Sequence, residues 1–178
     1  LLHGGASTAQ SLISKKPALI SFTGSFDTGM KIKSATSSYS PKLILEMGGS
    51  NPIIVCESAD IKKAATIIAE SAISNSGQRC ASASRLIVHD SISEEMMTLL
   101  EEKITAMLDV NRRETFSGCL VDINAKNKHE DLLKKARTSG SIVLEFDYEK
   151  SSEGCYVNPA IVLRNPKNSE ELITLDFE

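Results

Sequence analysis

The stretch ALISFTGSFDTGMKIKSATSSYSPKLILEMGG, residues 18–49, reads as strand, turn, helix and strand. Residues 18–24 are rich in β formers and follow Pro17, which ends a weaker helical pattern over 7–15. The turn GSFDTG predicts a helix that opens at Asp27 or Thr28 and runs through Lys33. KLILEM, 42–47, is a second strand, closed by Gly48 and Gly49. Two strands separated by a helix predict parallel pairing through a right-handed crossover, so the fold class is α/β.

The alternation continues downstream. A strand is expected at 53–56, then a helix capped by Ser58 or Asp60 and running to about Ser74. On that helix Ile61, Ala64, Ala65, Ile68 and Ala72 share one face, and Gly77 ends the element. RLIVHD, 85–90, is a strand. Ser91 and Glu94 have capping-box spacing for a helix to about Leu108, with Met96, Leu99, Leu100, Met107 and Leu108 inward. A further helix over 125–138 stops at Gly140. Strands follow at 141–146 and 156–163, the second at an edge or bulged because Pro159 has no N–H to give a ladder. Residues 147–154 read as a surface loop.

Composition narrows the function classes. The 178 residues are 41% apolar and 24% charged, with a net charge of −3, as in an ordinary globular chain. No basic stripe is present, so neither nucleic acid nor an anionic membrane surface is an expected partner. The apolar runs are too short to span a bilayer. Cys56, Cys80, Cys119 and Cys155 form no CxxC pair, and His3, His89 and His129 form no metal clamp. Neither zinc nor a disulfide framework is expected, and the thiols read as reduced and cytoplasmic. LLHGGAST has no signal-peptide character and no initiator methionine, and LITLDFE ends abruptly, so the chain reads as a piece of something longer.

Three motifs carry possible chemistry. In FTGSFDTG, a strand ends in Gly24-Ser25 and a helix begins, which is an anion site if backbone N–H groups face the turn. The plainer reading is a strand–helix turn with Asp27 as N-cap. In LEMGGSNP, Glu46 lies in an otherwise apolar strand, which predicts partial desolvation and a carboxylate suited to general-base work. It reads equally as a strand-end carboxylate bonded to backbone or facing solvent. In SNSGQRCASASR, 74–85, Cys80 follows Arg79 and precedes a run of small residues from Ala81 to Ser84. A nearby cation favours thiolate, yet free cysteines are most often small buried hydrophobes. No histidine is placed to make a Cys–His dyad, so a cysteine hydrolase without redox cofactor is the weaker enzymatic alternative.

Taken together, the order ISFTGS, LEMGGxNPxIV, NSGQRCxxxxRLIV and GxYVxPAIVL resembles the aldehyde dehydrogenase superfamily over nearly the whole chain. Ser50 stands where that family commonly has lysine, and Cys119 where it commonly has proline. Within the superfamily the motifs are most similar to N-succinylglutamate 5-semialdehyde dehydrogenases of arginine breakdown.

The resemblance implies the end of a Rossmann-like cofactor domain over 1–48 and most of the α/β catalytic domain over 49–178. It makes Cys80 the nucleophile and Glu46 the general base. Gly24, Ser25 and Gly29 would line an NAD or NADP site, with Gly48 at its nicotinamide end and Glu178 on a ribose. It implies a small aldehyde substrate, NAD(P)+-dependent oxidation to the acid, and a homo-oligomer at full length. The competing non-enzymatic reading is a catalytically incomplete piece that only self-associates.

Overall fold

The computed structural model describes residues 1–108, 118–139, 141–148 and 153–163. It is an α/β protein and divides between Gly49 and Ser50 into two compact units. Among the described residues, no helix is long and apolar enough to cross a membrane.

The first unit runs α1 (Ala6–Ile13), β1 (Leu19–Gly24), α2 (Phe26–Ala35) and β2 (Lys42–Met47). β1 and β2 pair in parallel, Leu19 opposite Lys42 and Gly24 opposite Met47, with α2 packed on both. Period-2 alternation puts Leu43, Leu45 and Met47 half-buried on one face of β2, leaving Ile44 and Glu46 exposed. Gly29 makes the helix fit: a Cβ there would stand 2.4 Å from Met47 Sδ. At the far end of α2, the buried Thr36 hydroxyl donates to the Ile32 carbonyl at 2.9 Å. Tyr39 Oη reaches the Ile13 carbonyl at 3.4 Å and ties α1 to this unit.

The second unit opens with β3 (Asn51–Val55), α3 (Ile61–Ile73), β4 (Ala83–Val88) and α4 (Ser93–Leu108). Asp60 caps α3, its carboxylate accepting from Lys63 N–H at 3.1 Å. β3 and β4 are parallel, with a register shift between Asn51, opposite Ala83, and Pro52, opposite Arg85. α3 and α4 pack together over a core of Val55, Ala65, Ile68, Ala69, Ile73, Met96, Leu100, Ile104, Met107 and Leu108, joined by Phe146. Burial of each large side chain contributes about 1.5–3 kcal/mol, so this one cluster dominates the unit. α5 (Ile123–Thr138) follows, with Asp122 accepting from Ala125 N–H at 2.8 Å as its cap. It packs on β5 (Ile142–Glu145), and Arg137 pairs with Glu145.

Several local readings need correction. α2 begins at Phe26, with Ser25 rather than Asp27 as its cap, because Ser25 is still extended as β1 ends. The Ser91–Glu94 capping box does not form. A 3-10 turn over Asp90–Ile92 comes first, capped by His89 Nδ1, which accepts from Ser91 N–H at 3.3 Å, and α4 begins at Ser93. β6 (Ala160–Leu163) starts only after Pro159, later than the expected 156, and pairs with β5 antiparallel. The Pro159 carbonyl still accepts from Phe146 N–H at 2.9 Å, although its ring nitrogen has no N–H to give. Gly140, expected to stop α5, lies outside the described residues, as does the middle of the 147–154 loop.

The packing yields a direct check by urea denaturation. Leu100, 2% exposed, should cost about 2–5 kcal/mol of unfolding free energy when changed to Ala. Ile54→Ala, at a position 68% exposed, should stay within about 0.5 kcal/mol. Equal losses at the two positions would contradict this core.

Candidate active site

Cys80 lies between α3 and β4, on a loop whose path is set by three consecutive left-handed residues. Asn75 (φ 56°), Ser76 (φ 55°) and Gly77 (φ 70°) turn the chain away from the helix axis. Glycine occupies that region freely and asparagine tolerates it, whereas serine does so at a cost of about 1–2 kcal/mol. Bonds to a distant segment offset that cost. Ser76 Oγ donates to the Gly118 carbonyl at 2.9 Å and accepts from Gly118 N–H at 2.7 Å. Gln78 adds a second tie: its Oε1 accepts from Val121 N–H at 2.9 Å, and its Nε2 donates to the Cys119 carbonyl at 3.2 Å.

Beyond this anchor the chain makes a tight turn, closed by Ser82 N–H donating to the Arg79 carbonyl at 3.0 Å. Arg79 N–H donates back to Ser82 Oγ at 3.3 Å, and Ser82 is buried. Cys80 occupies the corner of this turn and is exposed. That overturns the buried-hydrophobe reading: the left-handed exit from α3 carries the thiol out of the core. The Asn51 amide then bridges to the loop, Nδ2 donating to the Cys80 carbonyl at 2.7 Å and to the Ser82 carbonyl at 3.0 Å. Among the described residues, the Cys80 N–H takes no part in the bonds that hold the turn. Beside it, Ile67, Glu70, Ser71, Ser74, Arg79 and Ala81 line a shallow open cleft.

The other expected residues fall in the first unit. Gly24 ends β1, Ser25 caps α2, and Gly29, itself buried, follows the exposed residues that open that helix. Ser25 Oγ accepts from Thr28 N–H at 3.3 Å and donates to Thr28 Oγ1 at 3.0 Å. The N–H groups of Phe26 and Asp27 lie in the opening turn, where an α-helix leaves its donors unpaired. Donors of this kind, with a hydroxyl at the cap, fit a phosphate group. Gly48 is exposed, and a Cβ built on it would meet no atom within 4 Å.

Glu46 is exposed on β2. The desolvation expected from its apolar neighbours is therefore not found, because alternation turns them to the opposite face. Glu178 lies outside the described residues. Asn51, Ser76 and Gln78 were not assigned any role by sequence reasoning. The signal for Asn51 was its place before Pro52, which confines the preceding residue to extended backbone and so aims its side chain.

Known proteins match this chain along most of its length. A sequence model described as the aldehyde dehydrogenase family matches residues 1–174. Aldehyde dehydrogenase family 7 member A1 of Brassica napus is 31% identical over 165 residues, covering 89% of this chain and 33% of that protein. Sulfoacetaldehyde dehydrogenase of Neptuniibacter caesariensis is 32% identical over 161 residues, covering 89% and 34%. The crystal structure of an NAD-dependent aldehyde dehydrogenase from Sinorhizobium meliloti superimposes with a TM-score of 0.78 at 28% identity, covering 89% and 32%. The chain thus spans about a third of the length of the curated relatives it matches.

The loop geometry has a measurable consequence at Gly77. A Cβ there would meet the Ala72 carbonyl oxygen at 3.1 Å on a backbone with φ of +70°. Gly77→Ala should therefore lower unfolding free energy by about 1–2 kcal/mol in denaturant titration. A stabilised variant would show that the left-handed turn is not formed.

Proposed function

This chain belongs to the aldehyde dehydrogenase family, and on that basis we propose that the protein carrying it oxidises aldehydes to carboxylic acids through a covalent cysteine intermediate, with NAD or NADP as oxidant. The observation that carries this reading is the exposed Cys80 at the corner of a hydrogen-bonded turn, with its own N–H outside the bonds that hold that turn. Residues 1–48 are read as the end of the cofactor domain and 49–178 as the catalytic domain.

The Cys80 thiolate adds to the aldehyde carbon and forms a thiohemiacetal, whose developing oxyanion the Cys80 N–H helps to hold. A nicotinamide held at this site would supply the hydride acceptor, and the carbon bound to Cys80 would then be left as a thioester. Glu46 takes a proton from the water that hydrolyses the thioester and releases the acid and the free thiolate. Its exposure leaves the carboxylate open to the attacking water. The donors at the opening of α2, with Ser25 at the cap, would hold a cofactor phosphate, and Gly24 and Gly29 let strand and helix lie close beneath it. Gly48 leaves room for the nicotinamide end, and Glu178 is assigned to a ribose by resemblance alone.

The substrate proposed is a small semialdehyde, N-succinylglutamate 5-semialdehyde being the first candidate from the LEMGGSNP, GQRC and FTGSFDTG motifs. The protein is placed in the cytoplasm, where reduced cysteines persist, and is read as a homo-oligomer. Relatives of similar identity carry names for different aldehydes, so the substrate rests on the motifs.

Two substitutions at the length of the relatives test the roles separately. Cys80→Ser should lower aldehyde oxidation and ester hydrolysis together, by about 10³-fold or more. Glu46→Gln should keep the first-turnover burst of reduced cofactor while steady-state turnover falls about 10²–10⁴-fold. Aldehyde oxidation retained by Cys80→Ser would overturn the assignment. Comparison of kcat/KM across a panel of semialdehydes, with either cofactor, decides the substrate.

A further inference from the structure

We propose that Asn51 is the positioning residue of the Cys80 nucleophile: its side-chain amide fixes the peptide on the carboxyl side of Cys80 and so sets the direction of the sulfur. The inference rests on Cys80 being the nucleophile and adds a residue to which neither the motifs nor the resemblance gave a role. A primary amide has two N–H bonds, and Asn51 spends both on this loop, at 2.7 Å to the Cys80 carbonyl and 3.0 Å to the Ser82 carbonyl. The peptide on the amino side of Cys80 is held separately, by Ser82 N–H donating to the Arg79 carbonyl at 3.0 Å. The Cys80 Cα is shared by these two peptide planes. With both planes held, its φ and ψ are restrained, the Cα–Cβ direction is set, and χ1 is the main freedom left to the thiol.

The anchor itself is rigid. Asn51 opens β3 and stands opposite Ala83 in the parallel ladder, and Pro52 keeps its backbone extended. Immediately beyond that pair the register skips Ser84, so Pro52 faces Arg85. An irregularity of this kind re-aims a strand end, and here it lies at the entry from the Cys80 loop into β4. Ser71 Oγ accepts from Ala83 N–H at 3.1 Å and holds the same strand end from α3. Asn51 therefore carries the rigidity of the sheet to a turn that has no regular structure of its own. Attack on a carbonyl carbon needs the sulfur within a narrow cone, and displacement of about 1 Å costs on the order of 10²-fold in rate.

The test compares Asn51→Ser, Asn51→Ala and Asn51→Asp at the length of the relatives, with Cys80→Ser alongside. The rate constant of the first-turnover burst, read per active site, separates positioning from folding, because misfolded molecules reduce only its amplitude. Asn51→Ala should lower that rate constant about 10-fold or more with KM for aldehyde and cofactor held within about twofold. Asn51→Asp should fall further, since a carboxylate faces two carbonyl oxygens with no donor, and Asn51→Ser, with one O–H, should fall between wild type and Ala. Lower melting temperature and burst amplitude with an unchanged rate constant in all three variants would overturn the proposal. If Cys80→Ser is inactive while the Asn51 variants acylate at the wild-type rate, only the role of Asn51 is lost. If Cys80→Ser still oxidises aldehyde, the nucleophile assignment fails first.

Discussion

A helix and a parallel strand must be joined over residues 74–82 without burying the thiol between them, and the left-handed run at Asn75, Ser76 and Gly77 makes that possible. α3 is committed to the core through Ala65, Ile68, Ala69 and Ile73, and β4 to the sheet through its register with β3. Because β3 and β4 are parallel, α3 returns against them, and the chain must reverse its direction before it enters β4. Three successive residues with positive φ change its course within about one turn. Only one of them is a glycine, so the conformation depends on Ser76 and Gln78 binding the 118–121 segment. Everything proposed for Cys80 depends on this clamp, because it sets the path by which the chain reaches Cys80 from α3.

Much of the fold was legible in the sequence. KLILEM ends where the apolar alternation ends, and β2 occupies those residues, Lys42–Met47. α3 was readable because it combines a side-chain cap with helical spacing of small and apolar residues, whereas the cap of α5 at Asp122 went unread and its start was placed two residues late. The misplaced starts of α2 and α4 share a cause, which is competition among neighbouring polar groups. Ser25 and Asp27 are both good caps, and the end of β1 decided for Ser25. His89, Ser91 and Ser93 compete at the start of α4, and a 3-10 turn absorbs the first of these bonds before the helix begins. Ile104 was not assigned to the core although it is 4% exposed, since it lies among charged and polar neighbours. Pro159 was recognised as a ladder breaker, and β6 accordingly begins only at Ala160.

The candidate site was legible as residue types and much less as geometry. Cys80 and Glu46 drew attention as a thiol beside a cation and a carboxylate in an apolar strand. Locally, the inert reading of Cys80 was the stronger one, and that of Glu46 was as good as the functional one. Burial then corrected both in the same direction. Cys80 is exposed because the left-handed turn projects it, and Glu46 is exposed because alternation places it opposite Leu45 and Met47. Asn51 was invisible for another reason: its two partners are 29 and 31 residues away, and no periodicity reports a side-chain bond to a distant loop.

The central claim is that carbon–sulfur bond formation occurs at Cys80. The most direct measurement is to quench the full-length protein during turnover of an aldehyde, digest it at acidic pH to preserve thioesters, and map adduct mass by tandem mass spectrometry. The account predicts the acyl mass on the peptide carrying Cys80 and a greater share of it in Glu46→Gln, where hydrolysis is slowed. An acyl group found on Cys56, Cys119 or Cys155 instead, or turnover with no acylated cysteine under either condition, would contradict it.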